Sequence, residues 1–241
     1  MLQFKDTHIG YYDAKSRKQQ LLFKLEELTF KKGEFIAVIG PNGAGKTTFF
    51  NTLIGSQQSQ GGKISFCDQN WLTIPRHKRV KALSFVPSKF EGVNHLTVYD
   101  LIAMGRAPYT NMLNKLTDHD HAVIEEIIDQ LNIQHIIHKN TLRISDGERQ
   151  IAMIGKALAQ ETDIIILDEP TAFLDYNNRR KVLNILQKIA KKQQKLIFLS
   201  SHNLELCFSY CSRVIAIEIE EKKMIDWLAP FDKEGIIQRV F

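Results

Sequence analysis

The run Gly40-Pro41-Asn42-Gly43-Ala44-Gly45-Lys46-Thr47-Thr48 fits the spacing G-x-x-x-x-G-K-S/T. Glycines at these places let successive backbone N–H groups turn inward around an anion. A helix starting at Thr47 adds the partial positive charge of its N-terminus. Lys46 would then reach the β- and γ-phosphates of a nucleotide, and the Thr47 hydroxyl would sit on Mg²⁺. A second run, Ile164-Ile165-Ile166-Leu167-Asp168-Glu169, delivers two carboxylates after four apolar residues. Asp168 can hold a metal through water while Glu169 faces an attacking water, as phosphate-bond hydrolysis requires. Many strands end in Asp-Glu, and the pair gains its weight from following a phosphate loop in the same chain. His202, in Leu199-Ser200-Ser201-His202-Asn203, follows another apolar run and is placed to contact a γ-phosphate. In Arg143-Ile144-Ser145-Asp146-Gly147-Glu148-Arg149-Gln150, Ser145 and Glu148 have the spacing of a capping box. The helix end that carries Ser145 and Gly147 is also a second anion site.

These residues need strands that end at one edge. Apolar runs with β-branched residues recur at Phe35–Ile39, 82–86, Ile164–Leu167, Leu196–Ser200 and 214–219. Several are almost continuously apolar, as strands covered on both faces are. A helical segment at 182–192 places Val182, Leu183, Leu186, Ile189 and Ala190 on one face. The alternation predicts an α/β fold with a mainly parallel sheet. The stretch from 89 to 160 reads differently: it offers no strand but three helices, at 98–105, 121–131 and 147–160. The middle one carries Val123, Ile124, Ile127, Ile128 and Leu131 at helical spacing. Residues 56–62 read as a polar turn, and residues 235–241 read as a helix.

The 241 residues suffice for one large domain with a core, and 44% hydrophobic with 24% charged residues is ordinary for a soluble globular chain. No apolar run is long enough to span a bilayer, and Met1-Leu2-Gln3-Phe4-Lys5-Asp6 lacks the apolar stretch of a secretion signal, so a cytosolic chain is expected. Cys67, Cys207 and Cys211 make neither a disulfide framework nor a zinc site, and read as small, reduced, partly buried residues. The net charge of +5 is spread over clusters at Lys15-Ser16-Arg17-Lys18, Arg76-His77-Lys78-Arg79 and Lys191-Lys192, read as solvated faces. No aromatic-interleaved basic stripe points to nucleic acid.

Taken in order, these pieces resemble the ATP-binding cassette (ABC) ATPases over nearly the whole chain. Residues 40–47 match the Walker A loop, residues 164–169 match Walker B, and Ser145-Asp146-Gly147-Glu148 matches the signature. Ser200-Ser201-His202 matches the switch-histidine segment, and Ala172-Phe173-Leu174-Asp175 the loop after Walker B. The resemblance implies a phosphate-loop core at residues 1–87 and 161–241, with an N-terminal antiparallel portion and an inserted helical subdomain at 88–160. It implies ATP and Mg²⁺, bound by residues 40–48, by Asp168 and by Asp175, with Glu169, His202 and Lys46 catalytic. It also implies two copies head to tail, so that Ser145 and Gly147 reach the partner copy's nucleotide, with Tyr11, or else Tyr12, stacking on adenine. Met104-Gly105-Arg106-Ala107-Pro108-Tyr109 resembles an element of importers for iron–siderophores, haem and cobalamin, although taken alone it is a helix stop and turn. Membership of that branch implies separate membrane permease subunits, indirect service to a periplasmic or surface binding protein, and a place on the cytoplasmic face of the membrane.

Two departures stand out. Ser88, in Pro87-Ser88-Lys89, occupies the place of a glutamine that in this family touches Mg²⁺ and the attacking water; a serine hydroxyl is shorter and would act through a water. Slower basal hydrolysis is expected from it. Ile144 and Asp146 alter the signature while Ser145 and Gly147 keep it. Two other functions remain open to the sequence: a nucleotide-switched binding module with weak turnover, and a cassette ATPase acting on nucleic acid or ribosomes.

Overall fold

The computed structural model describes residues 1–13, 18–111 and 115–241. Most of the Lys15–Lys18 cluster therefore lies outside the described residues. The chain opens with a long antiparallel hairpin, β1 (Leu2–Asp13) and β2 (Lys18–Phe30). Then come β3 (Phe35–Ile39), α1 (Lys46–Ile54), β4 (Gly61–Phe66), β5 (Gln69–Asn70), α2 (Arg76–Ala82) and β6 (Leu83–Val86). A helical stretch follows: α3 (Val98–Ala103), α4 (Asp118–Leu131) and α5 (Asp146–Ala159). The chain closes with β7 (Ile164–Leu167), α6 (Tyr176–Lys192), β8 (Leu196–Ser200), α7 (Leu204–Tyr210), β9 (Arg213–Glu218), β10 (Lys223–Leu228) and α8 (Lys233–Val240).

All these strands form a single sheet in the order β5-β4-β1-β2-β10-β9-β3-β8-β7-β6. The half from β9 to β6 is parallel, and β1, β2, β4 and β5 form an antiparallel wing. This matches the expected α/β class and its antiparallel portion. Register fixes where the strands end. Val86 pairs with Leu167, Leu167 with Leu199, and Leu199 with Ala37. The residues just past that row, on four neighbouring strands, emerge side by side at the carboxyl edge. This edge is where open α/β sheets bind ligands.

The alternation of side chains separates two apolar cores. Phe35, Ala37 and Ile39 of β3, with Ile165, Leu167, Ile197 and Leu199, face the helices α3 to α8. Ile36 and Val38, with Ile164, Ile166, Leu196 and Phe198, face α1 and the antiparallel wing. Burial on both faces is why these strands read as unbroken apolar runs. In the second core, Phe49 of α1 packs against Phe4 at 5.7 Å and Phe198 at 6.2 Å between ring centroids, and Phe30 meets Phe198 edge-on at 5.1 Å. Trp71 donates its Nε1–H to the Leu53 carbonyl at 2.6 Å. Each such buried aromatic contributes on the order of 2–3 kcal/mol, and together they clamp the helix that follows the phosphate loop.

Several local readings change. The helix expected at 98–105 stops at Ala103 and tightens into a 3₁₀ turn through Tyr109, because Pro108 has no N–H to continue it. The polar turn read at 56–62 ends sooner, since Gly61 and Gly62 begin β4 beside β1. Cys67 is exposed rather than partly buried, while Cys207 and Cys211 are buried and unpaired. Within 89–160 the described residues contain no strand, only a bridge between Thr97 and Asn140.

Candidate active site

The loop at 40–48 joins β3 to α1 with Gly40, Gly43 and Gly45 at positive φ. Gly45, at φ 110°, is the tightest: a Cβ there would lie 2.8 Å from Leu22 Cδ1 and 3.0 Å from Phe23. The hairpin strand β2 thus presses on the loop, and only glycine meets both demands. Lys46 is buried and donates to the carbonyls of Gly40 at 2.7 Å and Pro41 at 3.1 Å, closing the loop upon its own ammonium. Burial lowers its pKa, and the nearby Glu169 and Asp168 carboxylates work against that shift.

Next to the loop, β7 delivers Asp168 and Glu169. Thr47 Oγ1 donates to Asp168 Oδ2 at 3.2 Å across 121 residues of sequence. His202 Nε2 lies 2.9 Å from Glu169 Oε1. Glu169 adopts φ 48°, a left-handed conformation uncommon outside glycine, at the turn out of the strand. Beside it a cavity of about 530 Å³ is lined by Glu169, Thr171, Ser201, His202 and Arg179. A hydroxyl and a carboxylate oxygen so close together are hard donors. They suit an octahedral Mg²⁺ that takes one or two protein ligands and completes its shell with phosphate and water.

Ser145 caps α5, its hydroxyl accepting the Glu148 N–H at 3.2 Å and the Glu148 carboxylate returning to the Ser145 N–H at 2.8 Å. These bonds hold the Glu148 carboxyl below its usual range, the Ser145 N–H acting most strongly. Gly147 stands close to the Phe173 carbonyl: a Cβ there would come within 3.1 Å. Asp175 is exposed and caps α6, accepting the Asn178 N–H at 2.8 Å. Tyr11 is partly exposed, with its hydroxyl on Gln20 Oε1 at 2.6 Å. Its strand partner Gln20 lies two residues from Leu22, a side chain that a Cβ at Gly45 would meet, and Tyr12 is more exposed. Ser88 follows β6 and is half-buried, bonded to neither Thr47 nor Asp168.

Two residues, Ser200 and Gln150, make bonds that the sequence did not announce. Ser200 Oγ donates to Asp168 Oδ1 at 2.6 Å and accepts the Glu169 N–H at 2.8 Å. Gln150, buried on α5, donates to the Pro87 carbonyl at 3.3 Å, tying the Ser145 helix to the segment bearing Ser88. A buried amide on an otherwise apolar helix face is the only signal for Gln150 that the sequence held.

Residues 24–172 match the family model described as ABC transporter. The chain belongs to that family, and its phosphate-loop fold is that of an ABC ATPase. A Bacillus subtilis relative, YusV, named a probable siderophore transport system ATP-binding protein, is 31% identical over 87% of this chain and 74% of its own. MolC of Haemophilus influenzae, a molybdate import ATP-binding protein, is 32% identical over 80% of this chain and 69% of its own. A solved structure described as an ABC transporter of metal-chelate type in an inward-facing conformation superposes with a TM-score of 0.80 at 27% identity. The overlap covers 98% of this chain and 84% of that one. Among the described residues no helix is long and apolar enough to cross a membrane.

Proposed function

We propose that this chain is the ATP-hydrolysing subunit of an importer. It works as a pair of copies beneath a separate membrane permease, on the cytoplasmic face, and the cargo is an iron–siderophore, haem or cobalamin-type compound. One observation carries the hydrolytic part. Four neighbouring parallel strands bring the phosphate loop, Asp168 with Glu169, His202 and the Ser88 segment to one edge, with Thr47 on Asp168 and His202 on Glu169. Support for the importer comes from relatives named for siderophore transport and molybdate import and from the metal-chelate type structure. Those relatives differ in cargo, as expected of a subunit that never touches it.

On this reading the N–H groups of residues 40–48 and Lys46 bind the phosphates, and Tyr11 packs on the base. Thr47 and Asp168 would hold Mg²⁺, with Ser88 contributing through water, and the ion would neutralise charge on the transferring phosphoryl group. Glu169 orients or deprotonates the attacking water, and His202, 2.9 Å from it, holds that water in line with the γ-phosphate. Ser145, Gly147 and the N-terminus of α5 stabilise the same charge from the opposite copy. Asp175 lies on the loop between the copies. Residues 1–87 and 161–241 act as the nucleotide-binding core, and 88–160 as the helical part that passes closure to the permease. Gln150 fits that transmission, since it spans from α5 to the Pro87 carbonyl.

Glu169→Gln keeps the hydrogen-bonding shape while removing the base, so with Mg-ATP it should elute as a stable dimer and revert to monomer on ATP removal. A monomer throughout would contradict the paired arrangement.

A further inference from the structure

Ser200 closes β8 on the face that carries Leu196 and Phe198, where the pattern calls for another apolar side chain. It is completely buried. A hydroxyl in such a place must be bonded or it destabilises the fold. Here its one donor and one of its lone pairs are used on two successive residues of the neighbouring strand. The O–H goes to Asp168 Oδ1 at 2.6 Å, and the oxygen receives the Glu169 N–H at 2.8 Å. Asp168 is left with one oxygen fixed and the other, Oδ2, turned to Thr47 at 3.2 Å. The Glu169 N–H is held in the same turn that sets this residue at φ 48° and brings its carboxylate to His202.

We infer that Ser200 is a positioning residue for the hydrolytic site: a single buried hydroxyl sets the Asp168 carboxylate toward the cation and the Glu169 backbone toward the attacking water. Being completely buried, it acts through the Asp168 carboxylate and the Glu169 backbone. This rests on the reading of Asp168 and Glu169 given above. Without the hydroxyl, Asp168 Oδ1 loses its donor, the carboxylate is free to rotate, and the turn at Glu169 keeps a half-buried N–H without this acceptor. A bond from a hydroxyl to a carboxylate is charge-assisted and correspondingly strong.

The test compares Ser200→Thr with Ser200→Val, which match in volume and differ in the hydroxyl, with Ser200→Ala as a third variant. Mn²⁺ binding to the ADP-loaded protein is followed by electron paramagnetic resonance, and ATP turnover is measured alongside. The Val and Ala variants should need roughly tenfold more Mn²⁺ for half-saturation and lose about tenfold or more in kcat. ADP affinity without divalent cation should stay as in the wild type, and the Thr variant should recover most of both losses. Equal Mn²⁺ affinity in wild type, Val and Ala variants would overturn the role of Ser200. Equal losses in Thr and Val variants would assign the effect to packing and overturn it as well. A wild type that binds ADP but no Mn²⁺ would instead overturn the underlying metal site.

Discussion

At the residue scale the site is a set of short-range bonds between distant parts of the chain. Thr47 meets Asp168, and His202 meets Glu169. Of the positions that depart from the family pattern, Ser88 is the one expected near the metal, standing where a glutamine is expected. Because a serine cannot span the same distance, Ser88→Gln should raise basal hydrolysis several-fold and lower the Mg²⁺ needed for half-maximal rate. A titration of rate against Mg²⁺ checks this, and an unchanged curve would remove Ser88 from the metal's surroundings. The phosphate loop was readable because its chemistry is contiguous, nine residues in one run. Ser200 reads from sequence only as part of a motif, since its bonds to Asp168 and Glu169 exist only once β7 and β8 are paired, 32 residues apart. Asp175 has a local bond that needs no strand pairing: its carboxylate caps α6 by accepting the Asn178 N–H.

At the element scale the helical stretch is held by a polar knot as well as by its apolar core. Arg106, almost fully buried, pairs with Asp120 at 2.7 Å and Glu161 at 2.5 Å, donates to the Ala159 carbonyl at 2.8 Å, and stacks on Tyr109. It joins the turn after α3 to α4 and to the end of α5. The segment containing it read as a helix stop or a branch marker, because its partners lie 14 and 55 residues away. Removing Arg106 leaves the buried Asp120 unpaired, so Arg106→Ala should cost about 3–5 kcal/mol. Arg106→Lys should recover little, as lysine lacks the fork that serves three acceptors. Urea unfolding measures both. Asp120 also closes the capping box of α4. Hydrogen bonds from the Thr117 N–H and hydroxyl, and then Arg106, hold its carboxyl at about 2, below the ordinary 3.8. A depressed carboxylate stabilises the fold fully above its unfolded value and loses that contribution as pH falls through the folded one. Wild type should therefore lose more stability than Asp120→Asn between neutral pH and about pH 2. Equal losses in urea midpoints would rule out this contribution.

At the scale of the whole molecule, one sheet sets a nucleotide edge from four parallel strands, and an antiparallel wing presses on the loop from the side. The helical stretch is not a separate body packed on afterwards: α3, α4 and α5 share one apolar core with α6 and with the β3, β7 and β8 face. That continuity explains why strands and helices were legible as alternation, whereas β4 and β5 were not. Their run begins on two glycines and lies on the wing edge, so it lacks the apolar signature of the central strands. In the proposed mechanism, the same continuity is the route by which closure at the nucleotide would reach the helical face. In the proposed function this edge hydrolyses ATP through Glu169. Phosphate release from purified protein with Mg-ATP, run beside Glu169→Gln, tests it most directly. Turnover is expected in the wild type, with a loss of about 10²-fold or more in the variant and ATP still bound. Equal turnover in the two proteins would contradict it.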